Sequence, residues 1–203
     1  FVESLSLSND TAIGHGNIFM CDSITLKQNS YIGRLNILHG HFSVILCKYA
    51  AIGNNNKITR GSAIKDRAFI RLGVLSKITA DHRIDVTRSV FFGNYTTLAG
   101  TRSEIWTHGY VHASTGRGRY RIDGSVVLGN NVYIGSRSLI TSGVRISSSI
   151  QVGAGAIVSK SLIEKGVYVS QRLRILPIPG DPNLRPDLLK DPNCGEIVFT
   201  KLL

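Results

Sequence analysis

The sequence predicts an all-β chain, a parallel β-helix built from hexapeptide repeats. Two observations carry this: a six-residue aliphatic period, and glycine or asparagine at the period boundaries. The period is sharpest over residues 128–162. Leu128, Ile134, Ile140, Ile146, Val152 and Val158 recur at steps of six without a slip. Val132, Ser138, Val144, Ile150, Ala156 and Leu162 follow each of these four positions later. A helix would repeat at about 3.6 residues and a half-buried strand at about 2. A step of six is that of a short strand plus a corner. Stacked hexads bury one continuous column of Leu, Ile and Val.

Weaker hexads precede that stretch. Ile13-Gly14 opens the series, and Leu26, Ile32, Leu38 and Val44 are spaced by six. Ile52, Ile58, Ile64 and Ile70 repeat the spacing, followed by Ile78 and Ile84, then Phe92 and Leu98, then Ile105. Steps of seven or eight read as extra corner residues. Three hexads close a triangular coil of roughly 18 residues, so six or seven coils account for residues 10–163. Asn54-Asn55-Asn56 and Asn130-Asn131 suit corners, since Asn tolerates left-handed backbone angles. Gly33, Gly93 and Gly135 each follow an inward side chain, where a Cβ would be crowded.

The frame lapses between Ile105 and Leu128. Residues 109–125 are rich in Gly, Arg and polar residues. They read as an extended loop leaving the stack. Such a loop lines a site, reaches a neighbouring subunit, or is a disordered decoration. From about Glu164 the pattern stops, and all five prolines follow, at 177, 179, 182, 186 and 192. This divides the chain into a solenoid, 1–165, and an extended tail, 166–203. The tail is expected to cap the last coil, with a short helical turn near 186–190.

Composition narrows the function classes. A hydrophobic content of 42% fits a globular chain rather than a disordered one. No apolar run approaches the roughly 18 residues of a membrane span, and no secretory signal is visible. Cys21, Cys47 and Cys194 are odd in number and widely spaced. They argue against a disulfide framework and suit a reducing cytoplasm. A net charge of +11 is compatible with nucleic acid, an anionic membrane surface or a polyanionic small molecule. No nucleic-acid motif is present. Basic-aromatic interleaving is confined to residues 115–121, and a solvated basic face without a specific partner remains open.

Histidine is the residue type that takes a proton from a hydroxyl near neutral pH. His108 lies where the last regular coil before the gap meets the loop, so it is the candidate general base. His82 precedes it by somewhat more than one coil, with Asp85 close by; both are supporting catalytic candidates, and a structural role for His82 stays open. His112 sits on the loop, within reach of a substrate. Trp106 and Arg102, also near His108, complete the candidate acceptor site.

The stretches ITADHRIDV, FFGNYTTLAGTRSEIWTH, LGNNVYIGSRSLITSGV and VGAGAIVSKSL resemble the hexapeptide-repeat acyltransferases. They are similar in particular to the sugar and polysaccharide O-acetyltransferases. The matching order is Thr107-His108, a variable loop, Leu128-Gly129-Asn130-Asn131-Val132-Tyr133-Ile134-Gly135, then GAGAIVSK. The resemblance covers about the central and C-terminal two-thirds of the repeat region. It implies a left-handed β-helix, against the usual right-handed crossover. It also implies a homotrimer with acetyl-CoA, a co-substrate and not a resident cofactor, between two subunits. No nucleic acid and no metal are implied.

By the same resemblance His108 is the base, and Ser136, Ala154, Ser159 and Lys160 contact the pantetheine arm and nucleotide. The family's Gly-x-Pro-Ala-Lys-Val-Ile-Arg ending is replaced here by VYVSQRLRILP, with Arg172 or Arg174 as the substitute cation. The family's Asn on an earlier coil has no match, because DHRID occupies that region. The reaction implied is acetyl transfer to a hydroxyl of a sugar or surface-polysaccharide precursor. Backbone N–H groups or Ser136 would hold the oxyanion. Two other classes stay open. One is a zinc-dependent hydratase of carbonic anhydrase type using His82, His108 and His112. The other is a non-catalytic solenoid that serves as a binding scaffold.

Overall fold

One inward aliphatic per short strand, repeated at every corner, lets a chain bury its core without any strand longer than a few residues. That is what the computed structural model shows. It describes residues 1–61, 66–112, 114 and 118–170, together with the backbone of strands Arg174–Leu176, Leu188–Asp191 and Val198–Lys201. Among the described residues there is no helix. Parallel strands stack into three faces, here A, B and C, visited in that order in seven successive coils. The architecture is a left-handed parallel β-helix.

The core is three in-register columns. Leu26, Leu46, Leu72, Phe92, Leu128 and Ile146 pair up face A. Ile32, Ile52, Ile78, Leu98, Ile134 and Val152 pair up face B. Leu38, Ile58, Ile84, Ile105, Ile140 and Val158 pair up face C. All are buried. Each contributes roughly 1.5–3 kcal/mol by leaving water, and one column supports the next. The expected frame is therefore the observed core, apart from Ile64, which lies outside the described residues, and Ile13, which is 36% exposed on the first coil.

The three corners differ. At the AB corner, Asn29, Tyr49, Leu75, Tyr95, Asn131 and Ser149 all take left-handed backbone angles, φ 55–62°. Such a residue costs about 1–2 kcal/mol in an L-chain. The cost is offset by a ladder of amides donating to the coil before, such as Tyr49 N–H to Gln28 O at 3.1 Å and Leu75 N–H to Lys48 O at 3.0 Å. Asn131 and Asn55 occupy such positions, as expected of asparagine. Asn54 and Asn130 serve differently: their side-chain oxygens accept the backbone N–H of Arg34 and Asn94, each at 2.8 Å.

Inside the BC corner runs a polar ladder. The Asn17 side-chain oxygen accepts the Asn36 backbone N–H at 2.8 Å, and Asn36 accepts that of Asn56 at 2.9 Å. Asn56 in turn accepts the His82 backbone N–H at 3.0 Å, and the His82 ring accepts the Ser103 N–H at 3.1 Å. Ser103 accepts the Ser138 N–H at 3.2 Å. Each buried polar side chain is thereby satisfied by the coil next to it. Glycines stack beside this ladder: a Cβ on Gly135 would stand 2.6 Å from the Ala154 nitrogen.

Nearly all length variation falls at the CA corner. From face A to face B the core step is six residues in every coil, and from B to C it is six except between Leu98 and Ile105. From C to A it runs from four, between Val158 and Leu162, to twenty-three, between Ile105 and Leu128. The longest excursion contains an antiparallel hairpin, His108–His112 paired with Arg119–Asp123. The extended loop expected over 109–125 therefore has its own ladder.

Beyond the last hexad, Gly166–Val169 still adds to face B, parallel to Ile150–Val152, and Arg174–Leu176 follows antiparallel. The helical turn expected near 186–190 is not formed at 188–190. Leu188–Asp191 is a strand paired with Val198–Lys201, so its amides find cross-strand partners instead of helical ones. Cys21 and Cys47 are free thiols, and Cys194 lies outside the described residues. Burial pushes the Cys21 pKa up to about 11, which leaves the thiol unreactive at neutral pH. Among the described residues no helix is long and apolar enough to cross a membrane.

Candidate active site

Strand Arg83–Asp85 ends with two consecutive buried residues, Ile84 and Asp85. The alternation fails there because the chain turns the CA corner, and the carboxylate points under the coil above. That coil supplies Thr107, fully buried, and then His108 as the hairpin leaves the stack.

Asp85 is the hub. Its Oδ2 accepts the Thr107 backbone N–H at 3.0 Å, the Thr107 hydroxyl, and His108 Nδ1 at 2.9 Å. Its Oδ1 accepts the Thr87 hydroxyl at 2.7 Å. Burial alone would raise the Asp85 pKa. The hydrogen bonds from Thr107, Thr87 and His108 outweigh it and hold the carboxyl below its usual value. An ionised carboxylate only accepts, so His108 Nδ1 carries the proton and donates it. In the neutral ring Nε2 is then left with its lone pair. The His108 side chain is 24% exposed, partly shielded and still open to solvent. Trp106 and Tyr110 stand edge-on to the imidazole, with ring centroids 5.9 and 6.1 Å away. The arrangement can take a proton from a hydroxyl and hold the resulting imidazolium against a fixed negative charge.

The base of the hairpin is tied down separately. Asp123 is the cross-strand partner of His108. Arg88 reaches Asp123 with its Nε at 3.4 Å and Asp66 with a terminal nitrogen at 2.8 Å, while its backbone N–H donates to Thr107 Oγ1 at 2.9 Å. Arg121 Nε meets Asp123 at 2.7 Å. Thr87, Arg88, Tyr110 and Asp123 were not singled out in the sequence. Only the position of Asp123, where the hairpin rejoins the frame, offers a signal.

His82 is placed elsewhere. It is 1% exposed, within the BC ladder and not at the CA corner. Its Nδ1 accepts the Ser103 N–H, so Nε2 carries the proton and lies 2.9 Å from Thr79 Oγ1. Desolvation lowers its pKa to about 4. Both nitrogens are committed to the stack, and the ring is neutral. His112 is exposed at the far end of its hairpin strand, opposite Arg119. Among the described residues no group of three or more His, Cys, Asp or Glu converges, so a single chain does not bring His82, His108 and His112 together. Trp106 lies beside His108 and donates its indole N–H to Glu104 at 2.8 Å.

The remaining candidates divide between two corners. Arg102, Ser136 and Ala154 lie at or next to the BC corner of successive coils. Arg102 takes a left-handed angle, Ser136 Oγ accepts the Thr101 N–H at 3.3 Å, and Ala154 O accepts from Ser170 Oγ at 3.3 Å. Ser159 and Lys160 are exposed at the CA corner of the last coil. Arg172 lies outside the described residues. Arg174 begins a described strand, but its side chain lies outside them.

No family model matches the chain, and no curated protein matches it. Solved structures do. The chain is similar to the polysialic acid O-acetyltransferase OatWY at a TM-score of 0.65 and 14% identity, over 88% of this chain and 87% of that one. It is similar to the polySia-specific acetyltransferase NeuO at a TM-score of 0.51 and 17% identity, over 88% and 93%. A hexapeptide-repeat acetyltransferase of Vibrio cholerae O1 biovar eltor, complexed with acetyl-coenzyme A, gives 0.52 and 17%, over 77% and 71%. The fold is shared with hexapeptide-repeat acetyltransferases. At these identities the likeness establishes the fold alone.

Proposed function

We propose that this protein is an O-acetyltransferase that moves the acetyl group of acetyl-CoA to a hydroxyl of a sugar or polysaccharide precursor. The observation that carries the reading is the 2.9 Å contact from Asp85 Oδ2 to His108 Nδ1, at the root of the hairpin. It aims an unprotonated Nε2 outward. Nε2 takes the proton of the acceptor hydroxyl as that oxygen bonds to the thioester carbonyl carbon. The tetrahedral intermediate collapses, the carbon–sulfur bond breaks, and the imidazolium returns its proton to the departing thiolate. Asp85 fixes the tautomer and stabilises the imidazolium. Among the described residues no cysteine lies at this site, which fits direct transfer without an acyl-enzyme.

Support for acetyl-CoA comes from the shared fold and from the motif order around Thr107-His108. Ser136 and Ala154 on one corner, and Ser159 and Lys160 on another, are assigned to the pantetheine arm and nucleotide. A single chain does not gather both corners around one ligand. That division favours a homotrimer in which one subunit supplies each side of the groove. Ser136 is likewise not at the corner of His108, so backbone N–H groups are the better oxyanion donors.

The experiment is His108→Ala. Turnover with acetyl-CoA and a saccharide acceptor is expected to fall about 100-fold or more, with acetyl-CoA affinity kept. Unchanged turnover removes His108 from the chemistry.

A further inference from the structure

Face A of coils 4 to 7 carries a groove of about 530 Å³, away from the His108 corner. Its floor is one outward row, Arg71, Phe91, Val127 and Arg145, each opposite the next in register. Strands about 4.8 Å apart set the backbones of the two arginines roughly 14 Å from each other. Phe91 and Val127 between them are half-buried, and Phe69 stands edge-on to the Phe91 ring at 4.9 Å, which holds that ring in place. The groove has an apolar middle and an exposed cation at each end.

Its wall comes from the AB corner. Asn94 and Asn130 are exposed there, and the side-chain oxygen of each already accepts a backbone N–H, from Val74 and Asn94, both at 2.8 Å. Ser148 Oγ accepts the Asn130 N–H at 3.0 Å. The two NH₂ groups and the Ser148 hydroxyl hydrogen meet no acceptor among the described residues, and neither guanidinium makes a hydrogen bond or ion pair there. No residue that lines the groove is acidic. What its side chains leave unpaired is therefore donors. That discriminates between ligands. A sugar hydroxyl donates as well as accepts, and of these side chains only Ser148 offers it a further lone pair. A phosphate accepts at its oxygens and pairs with an arginine fork. A nucleobase brings a flat face for an apolar floor and ring acceptors for amide NH₂ groups.

We infer that this groove is a nucleotide site, separate from the site of acetyl transfer. The base lies over Phe91 and Val127, in the layers of coils 5 and 6 that also carry the Asn94 and Asn130 amides. The phosphates lie on coil 7, against Arg145 and the Ser148 hydroxyl, and Arg71 closes the other end. The AB corner holds none of the positions assigned to acetyl-CoA or to the acceptor, so both ligands can be bound at once. A nucleotide held this way ties coils 4 to 7 together from outside.

The test is calorimetry of the full chain with ADP and with UDP, in excess acetyl-CoA so that the donor's own seat is filled. Adenosine, uridine and inorganic pyrophosphate are the controls. Wild type is expected to bind at least one of the two nucleotides about tenfold or more tightly than its nucleoside and than pyrophosphate, and less tightly as salt rises. Arg145→Glu is expected to abolish the preference for nucleotide over nucleoside. Asn130→Asp keeps the oxygen that holds Asn94 and removes the NH₂, and should cost about threefold or more in affinity. Both variants should keep the wild-type melting temperature and acetyl-CoA affinity. Pyrophosphate bound as tightly as the nucleotides overturns the inference in favour of a plain anion site. Nucleotide binding that vanishes in excess acetyl-CoA also overturns it, because the groove then belongs to the acyl donor. Binding unchanged in both variants puts the nucleotide elsewhere and overturns it too. The His108 chemistry stands or falls separately, on the turnover of its alanine variant.

Discussion

Asp85→Asn isolates the electrostatic half of the proposed dyad with little change of volume. Asp85 accepts from Thr107 N–H, Thr107 Oγ1, Thr87 Oγ1 and His108 Nδ1. An asparagine oxygen in the Oδ2 position still serves Thr107 and His108, and the Thr87 hydroxyl rotates to accept from the new NH₂, while the long 3.3 Å bond from the Thr87 backbone N–H is lost. What changes is that the bond to His108 loses its charge. A hydrogen bond to a charged group contributes about 1.5–3 kcal/mol against about 0.5–1.5 for a neutral one, a difference of about 1–1.5, and about 1.36 kcal/mol is a factor of ten. If the imidazolium forms in the transition state, kcat should fall about 5- to 13-fold, with KM for acetyl-CoA little changed. The assay is release of CoA thiol near pH 7.5, followed alongside thermal unfolding. Working there matters because the folded-state pKa of Asp85 is depressed. Its stabilisation of the fold is present above the unfolded value of about 3.9 and is lost as pH falls through the folded value. A folded D85N protein with kcat within threefold of wild type would refute the dyad.

Other expectations follow from the same geometry. Because His82 is buried with its pKa lowered to about 4, its unfolded form binds a proton first on acidification. Stability should thus fall between about pH 6.5 and pH 4, by on the order of 3 kcal/mol, and denaturant melts against pH check this. His82→Asn continues the asparagine ladder below it, and should fold, retain turnover and flatten that acid limb, whereas His82→Leu should cost about 1–3 kcal/mol by stranding the Ser103 N–H. Loss of turnover in a folded H82N would restore His82 to the catalytic set. Arg88→Ala should lower kcat several-fold through a looser hairpin root, with partial rescue by Arg88→Lys, while its partly exposed ion pairs contribute no more than about 1 kcal/mol to stability. Gly135→Ala places a Cβ against the backbone of the next coil, and should cost about 1–3 kcal/mol, read as a lower melting temperature.

The core was legible because burial in this fold reduces to one rule. Leu128, Ile134 and Ile140 each face inward from a two- or three-residue strand, so the six-residue step survives every change of face. Corner chemistry was legible only where it used asparagine. Tyr49, Leu75 and Tyr95 hold the same left-handed angle as Asn131, and nothing about tyrosine or leucine announces it. The hairpin escaped notice because both of its faces are largely exposed, so Tyr110, Val111, Tyr120 and Ile122 show no alternation to read. Asp85 and His108 were both nominated as catalytic, and they meet although 23 residues apart. His82 looked equally eligible in sequence. What separates it from His108 is which corner of the coil it occupies, and that depends on where the extra residues are inserted.

That placement bears on how such a chain changes over time. Two edges of the prism are stitched by amides and side chains passing from one layer to the next, so an added residue there would sever bonds above and below. The third edge lacks a seam of that kind along its whole length, and it already accommodates a six-residue surplus before Phe69 and the hairpin after Thr107. On the proposed acetyltransferase reading, new acceptor preferences would therefore be acquired by lengthening or swapping segments on that edge, with the aliphatic columns untouched.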